Sequence, residues 1–160
     1  MKPYFDKERI EVLKDELERW RFTSFRYNCQ GHASPGIVAD CVSFPLNVFK
    51  DLELIPHDYK TPTYISVRSP YNELQKIFAG MDTLSGLVKV WDVETDCPLI
   101  QTGMIAGDII VCSSGRAIQH LMIYVDGVCW HCWPGDGVQK IPFTTSQIHK
   151  TAKRVYRWHE

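Results

Sequence analysis

At 160 residues, with 18 basic and 19 acidic side chains, the chain carries a net charge of -1. That balance excludes the basic footprint of a nucleic-acid or anionic-membrane binder. The length suits one domain, 1–160, with a real hydrophobic core, and no apolar run is long enough to span a bilayer. The six cysteines (Cys29, Cys41, Cys97, Cys112, Cys129 and Cys132) sit in a chain longer than the usual disulfide-stapled scaffolds. The start, Met1 to Lys7, has no signal-peptide pattern. The expectation is cytoplasmic synthesis with free thiols, so action outside the cell would need another carrier.

Residues 1–25 centre on a predicted amphipathic helix over 6–20, with Ile10, Val12, Leu13, Leu17 and Trp20 among charges. Residues 26–55 combine a Gly- and Pro-punctuated loop, 26–36, with a helix expected to open at Asp40 and run to about Leu54, burying Phe44, Val48, Phe49 and Leu52. Pro45 fits the first turn of that helix, where its missing N–H costs little. Residues 56–103 read as a polar connector followed by a short helix from Pro70, carrying Leu74, Ile77 and Phe78 and ended by Gly80. From Leu87 the pattern turns to short β-rich runs at 87–91, 108–112, 119–125, 128–132, 137–141 and 153–158, with Gly-containing turns between them. Helices first and strands after give an α+β domain, with N-terminal helices packed on an antiparallel sheet of about five to six strands.

The chemistry centres on Asp40-Cys41. Asp40 is a good N-cap residue, which puts Cys41 in the first helical turn, where free N–H groups and the macrodipole favour a thiolate. The competing reading is a buried, inert cysteine. Two histidines fall in the strand region. A hairpin closed by Asp126-Gly127 brings position 120 across from 131–133, so His120 and His131 can be neighbours at one end of the ladder. Such a pair suits a thiol nucleophile, one imidazole taking its proton and the other orienting the first; two histidines merely bonded within a core are the alternative. A zinc site from Cys129, His131 and Cys132 is disfavoured, because a strand sends Cys132 to the opposite face and no second Cys-x-x-Cys knuckle exists. Tyr27, in the loop before the helix, could aim its hydroxyl at the nucleophile or simply pack.

The ordered set of segments resembles the NlpC-type cell-wall cysteine peptidases, nearest to their phage-tail branch. Tyr27-Asn28-Cys29-Gln30-Gly31 is similar to that family's Tyr-x-x-Gln-Gly loop, and Asp40-Cys41 to its Asp-Cys. Ala106-Gly107-Asp108-Ile109-Ile110 resembles its Pro-Gly-Asp strand start. Ile118-Gln119-His120-Leu121-Met122-Ile123 is similar to the strand bearing its catalytic His, Trp130-His131-Cys132 to its Ile-His-Ala, and Arg154-Val155-Tyr156-Arg157-Trp158 to its terminal strand. The resemblance implies a papain-like fold, Cys41 as nucleophile, His120 as base and His131 as orienting residue. It implies Tyr27 and the Cys41 backbone near the oxyanion, with Asp40 beside them, and no metal or cofactor. The implied substrate is peptidoglycan stem peptide, cut at a γ-D-glutamyl bond to a diamino acid. Phage tail proteins are the implied partners and the virion tail the implied location. Two residues depart from the family pattern: Ser43 replaces a usual Gly and Met122 a usual small residue, both expected at the helix–sheet contact. Those departures leave room for a non-enzymatic tail or wall protein. An acyltransferase or amidase using the same residues on another substrate is a third reading.

Overall fold

A computed structural model describes residues 1–27, 29, 31–60, 76, 79–99, 103–113, 119–144 and 146–160. Helix α1, Lys7–Trp20, starts at Asp6, whose carboxylate accepts from the Arg9 N–H and satisfies a free donor of the first turn. Leu13, Leu17 and Trp20 are buried along one stripe. Val12, expected among them, is 56% exposed. One position along a helix is a turn of about 100°, enough to take it off that stripe.

Two elements the sequence did not announce follow. Strands β1, Ser24–Phe25, and β2, Val38–Ala39, form a two-stranded parallel sheet. They are too short to leave a periodic signal. Helix α2, Ser43–Asp51, is shorter than expected at both ends, with Leu52 at its C-cap. Phe44, Val48 and Phe49 are buried as anticipated, each worth roughly 1.5–3 kcal/mol of hydrophobic stabilisation. The helix expected from Pro70 lies largely outside the described residues; the helical residues 79–82 run past Gly80.

The main sheet has six strands: β3 (Leu87–Asp92), β4 (Ile109–Ser113), β5 (Gln119–Val125), β6 (Val128–Trp133), β7 (Gly137–Pro142) and β8 (Ala152–Trp158). Their spatial order is β3-β8-β4-β5-β6-β7, and every neighbouring pair is antiparallel. All six fall where the short β-rich runs predicted them. A third helix, α3 (Ser146–Thr151), is an addition to that expectation.

Both faces of the sheet are covered, so its strands read as near-continuous apolar runs rather than strict alternation. Val111, Leu121, Ile123, Trp130, Cys132 and Tyr156 face α1 and α2 and join Leu17, Phe44 and Phe49 in one core. Ile110, Met122, Tyr124 and Cys129 face the other way, into a second core with Phe143 and Ile148 of α3. The Asp126-Gly127 turn has φ of 49° and 86°, the two left-handed residues that a type I′ hairpin requires. Gly107 lies at φ 88°, and a Cβ there would sit 2.2 Å from the Phe5 ring. Beside it, the fully buried Asp108 grips the Arg157 guanidinium with both oxygens, at 2.8 and 2.7 Å, and accepts from the Ile105 N–H at 2.9 Å. That pair ties the start of β4 to β8.

Candidate active site

The helix start is built around a buried carboxylate. Asp40 is 1% exposed. Its Oδ1 accepts from the backbone N–H of Val42 (3.0 Å) and Ser43 (2.7 Å), while Oδ2 accepts from the Cys29 N–H (3.1 Å) and the Cys29 thiol (3.5 Å). The Ser43 hydroxyl accepts from the Asp40 N–H (2.9 Å) and meets the Cys29 sulfur at 3.4 Å. Charge-assisted bonds of this kind are shorter and stronger than neutral ones, and four of them compensate a charge that burial would otherwise penalise.

The expected capping by Asp40 is present, its carboxylate taking the Val42 and Ser43 amides. One expectation changes: Cys41 lies in a turn ahead of α2, not in its first helical turn. Cys41 keeps some exposed surface and packs against the helix-side core. Its thiol is pushed up from the ordinary range, first by burial, then by the Asp40 charge and the neighbouring Cys132. The resting sulfur is therefore a protonated thiol.

The imidazoles behave as the hairpin geometry predicts. From Val125 opposite Val128, the register Tyr124–Cys129 and Ile123–Trp130 extends to bring Met122 opposite His131 and His120 opposite Trp133. His120 Nε2 and His131 Nδ1 are 2.8 Å apart, and the Trp133 ring stands 5.0 Å from His120, edge to face. His120 is 2% exposed and His131 8%. Burial, with the neighbouring His131, pushes His120 down to about 3; burial lowers His131 as well, opposed by Asp136. Both shifts favour the neutral ring. One polar atom of the pair is left over: His120 Nδ1 is buried and has no hydrogen-bond partner among the described residues.

Cys41 packs against the helix-side core, whereas His120, paired with Cys112, and His131 share the sheet face of Met122 and Cys129, away from the helices. Cys132, which acts on the Cys41 thiol electrostatically, directly follows His131 in β6. Tyr27 is 53% exposed, with its ring edge-on to Phe25 at 4.6 Å. All six cysteines are free thiols. Among the described residues no three His, Cys, Asp or Glu side chains cluster as a metal site, and no helix is long and apolar enough to cross a membrane.

Solved structures carry the same architecture. A Staphylococcus aureus protein described as similar to lipoprotein, NLP/P60 family, superposes with a TM-score of 0.60 at 17% identity, covering 99% of this chain and 44% of its own. An NlpC/P60 family protein from Bacillus cereus gives 0.53 at 13% identity, covering 91% of this chain and 39% of its own. The fold is the NlpC/P60 fold. The chain spans less than half the length of either structure. No family model matches the sequence, and no curated protein does.

Within that NlpC/P60 fold, the two departures sit differently from where the sequence put them. Ser43 is a working part of the cap, its hydroxyl bonded to Asp40 and Cys29. Met122 belongs to the second core and does not contact the α2 side, because the pleat turns residue 122 away from the face that Leu121 and Ile123 present to the helices. Sequence reasoning also missed Cys29 as the second anchor of Asp40. A cysteine in a Gly-rich loop carries no local signal for a contact made 11 positions away.

Proposed function

We propose that this protein is a cysteine-type amide hydrolase acting on peptidoglycan stem peptide, with Cys41 as nucleophile, His120 as base and His131 as the residue that orients the base. The observation that carries the reading is the unused, buried Nδ1 of His120. With Nε2 engaged by His131, the neutral ring that donates through Nε2–H presents an Nδ1 lone pair, the form a general base requires. Trp133 over the pair keeps water from competing for it.

Because the thiol is raised and the imidazole lowered, the resting pair is neutral, and proton transfer accompanies attack. The Cys41 sulfur bonds to the amide carbonyl carbon as its proton passes to His120 Nδ1. His120 then protonates the leaving amine as the C–N bond breaks, giving a thioester. Water, deprotonated by His120, attacks the thioester, and the thiol leaves with that proton. Tyr27, on the loop that continues to Cys29, contacts the reacting peptide near the carbonyl oxygen. The γ-D-glutamyl bond to a diamino acid is the scissile bond in this reading, and a phage tail the assembly that carries the enzyme to the wall. Digestion of purified stem-peptide fragments by the wild type and by Cys41→Ala tests it. Release of a new amine by the wild type alone supports the mechanism, and equal release by both removes it.

A second reading is favoured by two observations, the raised Cys41 thiol and the placing of His120 on the sheet face opposite the one Cys41 packs against: a structural tail or wall protein that keeps the fold without turnover. Alkylation near neutral pH separates the two. A nucleophile reacts ahead of the other five thiols, whereas an inert Cys41 reacts no faster than the exposed Cys97.

A further inference from the structure

Helix α2 has a second face. Ser43, Leu46, Asn47 and Lys50 recur at helical spacing on the side away from Phe44, Val48 and Phe49. Together with Gly31 and Ala33 of the preceding loop and His57, Tyr59 and Lys60 beyond the helix, they line a cleft of about 460 Å³. It begins at Ser43, which belongs to the cap beside Cys41, and runs along the helix to Lys50.

The charges at its far end are unequal. Asp51, the one acidic residue of the lining, is paired with Arg19 at 2.7 Å. Lys50 and Lys60 form no ion pair among the described residues. The Lys50 ammonium donates to the Tyr59 carbonyl at 2.6 Å, which fixes its position and leaves two of its three N–H donors for another acceptor. The Asn47 amide donates to the Ser43 carbonyl at 2.8 Å, which fixes that side chain in the cleft wall. A held ammonium, a second lysine and, among the described lining residues, one carboxylate already paired with Arg19 make this end a receptor for an anion.

We propose that this cleft binds the peptide substrate in extended form and that Lys50 and Lys60 hold its C-terminal carboxylate. The proposal rests on the peptidase reading for the direction of the peptide. From Ser43 to Lys50 helix α2 advances about 10 Å, a distance that about three extended residues cover. The carboxylate therefore belongs to a short peptide ending about three residues from the scissile carbonyl. A long cross-linked strand, lacking a free end there, gains nothing from the lysines.

Titration calorimetry on Cys41→Ala keeps binding apart from turnover. The probes are a stem pentapeptide, whose free C-terminal carboxylate lies three residues beyond the γ-D-glutamyl carbonyl, and the same pentapeptide as its C-terminal carboxamide. The carboxylate form is expected to bind about tenfold tighter or more, as a charge-assisted contact allows. The preference should weaken with salt and collapse to under about twofold in Lys60→Gln and in Lys50→Gln, with Lys50→Arg retaining it. Lys60 is exposed, so its variant folds as the parent does. Equal binding of the two peptides, binding of neither, or a preference that survives both glutamine variants overturns the proposal. A preference found in a protein without turnover would leave the subsite standing and remove only the reaction.

Discussion

The helix start and the imidazole pair lie on opposite faces of the sheet and treat their polar atoms in opposite ways. Around Asp40 the carboxylate oxygens, the amides of Val42 and Ser43 and the Ser43 hydroxyl are all engaged. Around His120 one nitrogen is engaged and the other, equally buried, is not. A saturated network fixes a backbone and resists change. An unsaturated one costs about 1–3 kcal/mol of desolvation. The difference teaches that burial alone does not say how a polar group is used: Asp40 fixes backbone, while His120 keeps a nitrogen to spare.

Breaking the reactive side should give the largest effects. Cys41→Ala and His120→Ala are each expected to lower kcat on stem-peptide fragments by about 10⁴-fold or more, with the melting temperature little changed, because the machinery acts as a unit. His131→Ala removes orientation only and should cost about 10²-fold. Losses of equal size in the two histidine variants would remove the distinction between base and orienting residue.

Breaking the saturated side should act on stability first. Asp40→Ala strands four donors at once and is expected to cost about 3–5 kcal/mol in urea unfolding. A variant that folds as well as the parent would show that the network is not what holds the helix start.

The pH dependence sharpens the comparison. His120 is depressed to about 3 in the folded protein against about 6.5 unfolded, so the unfolded chain binds the extra proton in that window. Its contribution to stability is intact above pH 6.5 and is lost as pH falls toward 3, at up to about 1.4 kcal/mol per pH unit. Denaturant titrations between pH 7 and 4 measure that slope, and His120→Gln should flatten it. The smallest effect belongs to Ser43→Ala, which loses one bond to the Asp40 N–H, for about 1 kcal/mol.

The sequence by itself determined the six strands, because short β-branched runs bounded by Gly turns leave few other options, and it determined the α1 stripe through Leu13, Leu17 and Trp20. It also determined that His120 and His131 meet, since Asp126-Gly127 demands one turn type and that turn sets the register. Contacts between distant segments were decided only by the tertiary structure. Cys29 closing on Asp40 and Met122 facing the second core both depend on how the elements pack. Periodicity reports the neighbours of a residue along one element, while burial and polar partners come from elements far away in the chain. That is why the thiolate expected from Asp40-Cys41 became a protonated thiol once the surrounding charge and desolvation were in place.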